Sequence, residues 1–541
     1  MFRQYSSLVD LDPAVASPAA LAHWLAGGAT DILTGAAIGT VAARALRSHG
    51  LHWSWGAVAL ATTLALRSEL GALAPSLLVA TFTATVRGRR RHLEDLDAGA
   101  DLAAGAARRI APGRLLRRGA SEVALRHRRR GGGNWFVGEE LIVGRDERGG
   151  LVSLPLGGAH GGSHMLVLGA TGSGKTVTQT WVVTRALERG MGAVVIDPKG
   201  DRAMRSALQR SAAREGRSFI EWTPAGPNVY NPFARGGETE IADKLLAGER
   251  FSEPHYLRQA QRYLGHVVRA LRHAGFEVSL QAVAHHLDPR RLELLVRELP
   301  AADAEPTQRY LDSLSTRQTA ELAGVRDRLA IVAESDVGHW LDPSEEGART
   351  FDLLQAVRER AVVYFDLTAD SRPLLTQMLG AAIVQDLTTT VAALQHSPAP
   401  TVVVIDEFSS LAAEQVVRVF GRARSAGVSL VLGTQELADL RLPSRESLLE
   451  QVLGNLTVLV AHRQVVPASA ELVAGLAGSV GAWRTSRHGD GRVSRTRVRE
   501  GALAADDVMR LRPGMAATIV LDRGSGARVT RIFTAESKEE R

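Results

Sequence analysis

The chain has 541 residues, 45% of them hydrophobic, enough for roughly three or four domains at about 150 residues each. It contains no cysteine, which excludes disulfides, thiolate zinc sites and cysteine nucleophiles. A net charge of +7 suits polyanionic partners, nucleic acid or anionic lipid, although an arginine- and alanine-rich composition of GC-rich origin would give the same excess.

Residues 1–90 differ from the rest. Between Ser48 and Leu66 there is no Asp, Glu, Lys or Arg; after Arg67-Ser-Glu69 a second uncharged run extends from Leu70 to Val86. At about 17–20 apolar residues per span, each run sits at the lower limit for crossing a bilayer. A third and weaker candidate, Ala19 to Ala43, carries Asp31. Arg87-Gly-Arg-Arg-Arg91 follows one end, and Arg44 and Arg47 flank the other. Basic flanks mark the cytoplasmic side, so the expectation is a transmembrane helical hairpin over about 48–86 with both ends inside. A pair of buried soluble helices is the alternative reading of these runs. The basic-then-apolar order and small-residue cleavage site of a signal peptide are missing. Residues 91–133 form an arginine-rich linker ending in Arg128-Arg-Arg130 and Gly131-Gly-Gly133. It suits anionic headgroups, DNA, or service as a solvated tether.

From about Asn134 short apolar runs alternate with amphipathic stretches: Met165–Leu168, Gly192–Ile196, Ala361–Asp366, Thr401–Ile405, Val428–Gly433 and Leu456–Ala461. Strands spaced by helix-length segments predict an α/β fold with a mainly parallel central sheet covered on both faces. Residues 238–350 are charged, helical in period and poor in β runs, which predicts an all-α insertion domain.

Gly169-Ala170-Thr171-Gly172-Ser173-Gly174-Lys175-Thr176 fits the G-x-x-x-x-G-K-[ST] phosphate loop without departure. A strand pattern precedes it and a helix pattern, Val177 to Arg189, follows. The glycines let backbone N–H groups face phosphates, and the helix points its positive end at them. Lys175 would reach the β and γ phosphates of ATP, and Thr176 would offer a hydroxyl to Mg2+. The run Thr401–Ile405 ends in Asp406-Glu407. Asp406 would hold the Mg2+ shell, and Glu407 would orient or deprotonate the attacking water. Taken alone, such an acidic pair could instead cap the next helix. A third buried run ends in Gly433-Thr434-Gln435, where Gln435 could sense the γ-phosphate. Arg424, eleven residues earlier, either stabilises charge at a neighbouring subunit's site or sits on a solvated helix end.

Together these segments resemble the VirD4/TraG/TrwB coupling-protein family of conjugative type IV secretion systems, within the wider FtsK–HerA group of DNA pumps. The resemblance covers about residues 135–535. It is carried by His164 to Thr176, by Val194-Val-Ile-Asp-Pro-Lys-Gly-Asp201, by Asn231-Pro-Phe233, by Asp406-Glu407-Phe408, by the Gly421 to Gln435 block and by Leu511-Arg-Pro-Gly-Met515-Ala. It implies a RecA-like P-loop ATPase using ATP and Mg2+, with Lys175, Glu407, Gln435 and Arg424 catalytic. It further implies a homo-hexamer around a central channel, DNA as cargo, and docking of a relaxase–DNA complex to the secretion channel. The anchor would lie in the plasma (inner) membrane and the ATPase in the cytoplasm. The expected organisation is an anchor region over 1–90, the linker over 91–133, the nucleotide-binding domain over 134–237 and 351–535, the insertion over 238–350, and a tail over 536–541.

A DNA motor needs cations that grip phosphates without reading bases. Candidates are Arg258, Arg262 and Arg269 in the insertion, and Arg484, Arg487, Arg492, Arg495, Arg497 and Arg499 in a Gly-containing stretch; each could equally be a solvated arginine. His285 and His286 are adjacent on a helix, and adjacent side chains point apart. Two other functions fit the same motifs: a chromosome-segregating or DNA-processing translocase of the FtsK or HerA kind, and an adaptor that binds nucleotide without hydrolysing it.

Overall fold

The computed structural model describes residues 18–97, isolated positions between 111 and 128, and residues 134–533 apart from short gaps at 148, 159–160, 249–250, 252, 345–346, 348, 369–371, 412, 442–447, 488–492 and 522–524. Most of the arginine-rich linker and the whole 536–541 tail lie outside the described residues, as do Arg492 and the side chains of Arg487 and Arg495. The chain separates into two units, one holding the N-terminal helices, residues 148–150 and the segment 481–500, the other holding the rest.

In the second unit a twelve-stranded sheet carries the fold. Its strands in chain order are β1 (Phe136–Val137), β2 (Glu140–Asp146), β3 (Leu151–Pro155), β4 (Met165–Leu168), β5 (Gly192–Asp197), β6 (Phe219–Trp222), β7 (Val362–Asp366), β8 (Thr401–Ile405), β9 (Val428–Thr434), β10 (Val458–Ala461), β11 (Met515–Val520) and β12 (Ser525–Ile532). Their order across the sheet is β1-β2-β12-β11-β10-β4-β9-β8-β5-β7-β6, with β3 added to β2. The seven strands from β10 to β6 are all parallel. β4, β5, β8, β9 and β10 are buried along their whole length, as continuous apolar runs covered on both faces require. Each run anticipated from the sequence forms a strand within two residues of the expected place. Five antiparallel strands extend the β10 side, and β12 joins β2, more than 370 positions earlier in the chain.

The insertion is helical, as expected: Glu238–Leu246, Pro254–His273, Leu280–His286, Pro289–Arg297, Ala301–Asp312 and Thr316–Ala333. Its two ends meet in a short parallel ribbon, Asn228–Tyr230 against Arg349–Phe351. Beneath the ribbon lies a buried polar cluster. Lys244 Nζ donates to Asp386 Oδ1 at 2.6 Å and to the carbonyls of Pro232 and Arg235 at 2.8 Å each; Tyr230 donates its hydroxyl to Asp386 Oδ2 at 2.7 Å. Asn231-Pro-Phe233 therefore serves the neck of the insertion.

The first unit contains the helices Pro18–Ser48, Ser54–Ala65 and Ala74–Asp97. The run Ser48 to Leu66 is not one helix, because Gly50 takes a left-handed φ of 68° and interrupts it. The remaining Ser54–Ala65 has twelve residues, roughly 18 Å at 1.5 Å per residue, short of a hydrocarbon core of about 30 Å. Among the described residues one stretch, Arg67–Asp95, is long and apolar enough to cross a membrane, with mean hydropathy 1.4 over 18 of its residues. Its last helix packs against Ser54–Ala65, the partner expected in the hairpin over 48–86, and also against Pro18–Ser48. The approach is close: a Cβ on Gly35 would lie 2.6 Å from the Ser76 carbonyl oxygen, and one on Gly39 2.3 Å from that of Ala80. Asp31, the residue that weakens the Ala19 to Ala43 run, accepts a hydrogen bond from Ser76 at 2.6 Å. Ile32, Leu33, Ile38, Val41 and Phe82 stay exposed on these helices.

Candidate functional site

The parallel strands bring the site together at their carboxyl ends, where ligands bind in such sheets. β4 lies between β9 and β10, and β8 lies between β9 and β5, with Ile405 level with Ile196 and Leu432. Segments leaving β4, β5, β8 and β9 therefore emerge side by side. They carry the phosphate loop, Asp197-Pro-Lys199, Asp406-Glu407 and Gln435.

The phosphate loop turns sharply at Gly172 and Gly174, with φ of 74° and 113°, a region that favours glycine. The helix Lys175–Glu188 starts on Gly174 without a side-chain cap, so its first N–H groups remain available to an anion. The loop is braced from behind. Gly514 N donates to the Ser173 carbonyl at 3.0 Å, Ala170 N to that of Arg463 at 3.2 Å, and Gly169 N to that of Thr434 at 3.3 Å. His462, fully buried, adds a side-chain brace: Nε2 lies 2.8 Å from Thr178 Oγ1 and Nδ1 lies 3.0 Å from the Met515 carbonyl. That carbonyl can only accept, so Nδ1 carries the proton and the Thr178 hydroxyl donates to Nε2. Burial lowers the His462 pKa to about 4 against a smaller opposing effect of the Met515 bond.

Lys175 reaches both acids at the end of β8, 2.9 Å to Asp406 Oδ1 and 2.5 Å to Glu407 Oε1. Gln179 Nε2 donates to Asp406 Oδ1 at 3.1 Å. Gly433 leaves room for this pair, since a Cβ there would fall 2.3 Å from both Asp406 Oδ1 and Gln179 Nε2. Glu407 Oε1 also accepts from Lys199 Nζ at 2.8 Å and from Gln435 Nε2 at 3.1 Å. Glu407 adopts φ 45°, a conformation that costs a non-glycine residue on the order of 1–3 kcal/mol and is found where a site requires it. Burial raises the Glu407 pKa, but the Lys175 and Lys199 ammonium groups outweigh it and the net shift is downward. The carboxylate is thus held charged.

Lys175, Asp406, Glu407 and Gln435 are brought together, with the side chain of Thr176 half-buried in the first turn of the helix. Arg424 is not among them. It is exposed at the opposite end of β9, where its carbonyl accepts from Gly162 N and its charge acts on His164. The DNA-gripping candidates divide. Arg269 is half-buried and tied to Glu238 at 2.6 Å, whereas Arg258, Arg262, Arg484, Arg497 and Arg499 are exposed, with Arg262 lying over the Tyr310 ring at 4.5 Å and Arg484 paired with Glu500 at 3.6 Å. His285 faces Arg291, and His286 Nδ1 approaches the Ala282 carbonyl at 2.8 Å. Sequence reasoning gave no role to Lys199, Gln179 or His462. Lys199 had a local signal, a cation in a Pro-Lys-Gly turn at the end of a buried strand; the other two had none.

The residue set fits a triphosphate with a divalent cation. Among the described residues, Ser173 Oγ and Gln179 Oε1 are buried at this site without a hydrogen-bond partner. Beside them stand uncapped helix N–H groups, a lysine, a threonine hydroxyl and an aspartate, the hard-oxygen and cationic groups that such a ligand uses.

Comparison with known proteins agrees with this geometry. Residues 149–481 match the family described as the type IV secretion-system coupling protein DNA-binding domain. The chain is 22% identical over 352 residues to the type 4 coupling protein DotL of Legionella pneumophila, an alignment covering 52% of this chain and 45% of DotL. It thus spans less than half the length of that relative. A stretch of 101 residues, 18% of the chain, is 32% identical to an uncharacterized protein of Mycoplasma pneumoniae, covering 67% of it. Among solved structures, the unbound bacterial conjugative coupling protein TrwBdeltaN70 superposes with TM-score 0.54 at 18% identity, over 69% of this chain and 85% of that one. The plasmid coupling protein TrwB in complex with ADP and Mg2+ gives 0.55 at 19%, over 70% and 87%. At these identities the superpositions establish a shared P-loop NTPase fold.

Proposed function

Because the chain belongs to the family of type IV secretion-system coupling proteins, which it matches through their DNA-binding domain, we propose that it is a membrane-anchored ATPase that drives DNA into a conjugative secretion channel. The observation that carries this reading is the meeting of Lys175 with Asp406 and Glu407, residues more than 230 positions apart, at the mouth of the phosphate loop. In this reading the loop N–H groups and Lys175 hold the β and γ phosphates of ATP. Thr176 and Asp406 hold Mg2+, which when bound supplies charge neutralisation on the phosphate oxygens. Glu407, kept ionised, accepts a proton from the attacking water, and Gln435 orients it. The nucleotide-binding domain comprises 134–237 and 351–535, and the insertion 238–350.

The N-terminal region anchors the protein in the plasma membrane, leaving the ATPase in the cytoplasm; the apolar stretch Arg67–Asp95 and the exposed apolar side chains around it support this. Copies assemble as a homo-hexamer around the DNA, and a relaxase–DNA complex is the cargo delivered. The intact set of lysine, aspartate and glutamate favours hydrolysis over a purely nucleotide-binding adaptor. The test is ATP turnover by the detergent-purified chain with and without DNA. Turnover should rise with DNA and be lost in Lys175→Ala and Glu407→Gln. Normal hydrolysis by those variants would remove the catalytic assignment, and turnover indifferent to DNA would remove the motor.

A further inference from the structure

Lys199 stands on a turn that is built to hold it still. Asp197, at the end of β5, accepts backbone hydrogen bonds from Lys199 N at 2.8 Å, Gly200 N at 3.1 Å and Asp201 N at 2.7 Å, and a further one from the Tyr364 hydroxyl. Asp201 in turn caps the next helix, accepting from Ala203 N and Met204 N at 2.9 Å each. Gly200 takes φ 68°, and a Cβ there would meet Asp366 Oδ1 at 2.7 Å, so the turn is fixed on both sides. β5 is paired with β8, and Asp406 N donates to the Ile196 carbonyl at 3.0 Å. The turn therefore comes out directly beside Glu407.

Two ammonium groups converge on one oxygen of Glu407, Lys175 at 2.5 Å and Lys199 at 2.8 Å. Their commitments differ. Lys175 belongs to the phosphate loop and, in the function proposed above, serves the β and γ phosphates. Lys199 belongs to a separate, rigid turn. We propose that Lys199 is a positioning residue for ATP hydrolysis: it keeps the Glu407 carboxylate anchored by Oε1, with Oε2 turned to the attacking water, when Lys175 is engaged with phosphate. Lys199 is well placed for a role of this kind rather than a structural one, because 46% of its side chain remains exposed and the fold around it is held by backbone bonds.

This inference rests on the ATPase reading, and the experiment separates the two. The full chain is purified in detergent as wild type, Lys199→Ala, Lys199→Arg and Glu407→Gln, and ATP turnover with DNA is measured alongside ATP affinity. In Lys199→Ala, turnover should fall about 10- to 100-fold, the scale of a catalytic group displaced by about 1 Å. ATP affinity should be unchanged, so that the loss falls on turnover and not on binding. Lys199→Arg, which keeps a cation on the same turn, should restore part of the rate. Wild-type turnover in Lys199→Ala, with Glu407→Gln inactive, would overturn the role of Lys199 alone. ATP affinity falling in step with turnover would overturn it as well, by making Lys199 a phosphate ligand. A wild-type chain without turnover would overturn the ATPase reading and this inference with it.

Discussion

Lys244→Met is the sharpest test of what holds the insertion to the nucleotide domain. Lys244 has no solvent exposure, and its three donors go to Asp386 Oδ1, Pro232 O and Arg235 O. Removing one partner of a buried pair costs about 3–5 kcal/mol, because the other charge is left uncompensated. The two carbonyls that lose a charged donor add about 1–3 kcal/mol each where water cannot replace it. Since the neck can open to admit water, about 5 kcal/mol is the reasonable sum, comparable to the lower end of the 5–15 kcal/mol by which whole domains are stable. The neck should therefore open locally before the sheet unfolds. The pH dependence has a defined sign. In the wild type, burial raises the Asp386 pKa and Lys244 lowers it, with the net shift upward. Without Lys244 the folded carboxyl is raised further. Its contribution is then fully present below the unfolded pKa and lost as pH rises through the folded one. The deficit of Lys244→Met should be smaller near about pH 5 than near about pH 8. Hydrogen exchange over 228–235 and 373–394 reads this opening directly, and Lys244→Met combined with Asp386→Asn should recover part of the loss. A deficit below about 1 kcal/mol, or one independent of pH, would refute the reasoning.

Two further outcomes follow from the site. Gly433→Ala places a methyl group on the carboxylate of Asp406 and the amide of Gln179, both ends of side chains that can swing away. Its melting temperature should stay near wild type while Mg-dependent ATP affinity drops about tenfold, the effect of roughly 1.4 kcal/mol, as isothermal calorimetry with and without EDTA would measure. His462 is held neutral, with its pKa lowered to about 4 by burial. A base whose folded pKa lies below its unfolded value stabilises the fold above about pH 6.5, and that stability is lost as pH falls from there toward about 4. Acid unfolding should therefore begin within this window, and His462→Leu should flatten it while lowering stability at neutral pH.

The sequence reveals the local parts of this molecule and conceals the parts made by pairing distant segments. Met165 to Thr176 reads as strand, loop and helix because each residue type is dictated by its own backbone and ligand. The apolar run Thr401–Ile405 reads as a buried strand for the same reason. Which strand lies beside which is not written locally, so the closeness of Lys199 to Glu407, which depends on β5 pairing with β8, was invisible. The antiparallel edge is hidden in the same way, since β12 finds its partner in β2. A lone histidine after a strand gives no hint that His462 will bridge Thr178 and Met515. Arg269 looked free for DNA because Glu238, its partner, lies 31 positions away on another helix. In the N-terminal region Asp31 depressed the apolarity of Pro18–Ser48. Its hydrogen bond with Ser76 and the contacts at Gly35 and Gly39, which make that helix a second partner of Ala74–Asp97 beside Ser54–Ala65, all cross more than 35 positions.

Arg424 carries the strongest consequence of the strand geometry. It precedes β9, whereas Gln435 follows it, and the seven residues of Val428–Thr434 separate the two by about 20 Å at roughly 3.3 Å per residue. No rotamer of an arginine spans that distance, so Arg424 cannot serve the phosphate loop of its own chain. If it contributes a cation to hydrolysis, it does so at the site of another copy, and its effect belongs to the assembly rather than the protomer. Mixing distinguishes the two cases. Arg424→Ala copies keep an intact phosphate loop, and Lys175→Ala copies keep an intact arginine. Each alone should be inactive, and mixed before assembly they should regain a fraction of wild-type turnover at interfaces where an intact loop meets an intact arginine. Full activity of Arg424→Ala alone would assign that residue to the solvated helix end, and inert mixtures would deny that one copy completes the site of the next.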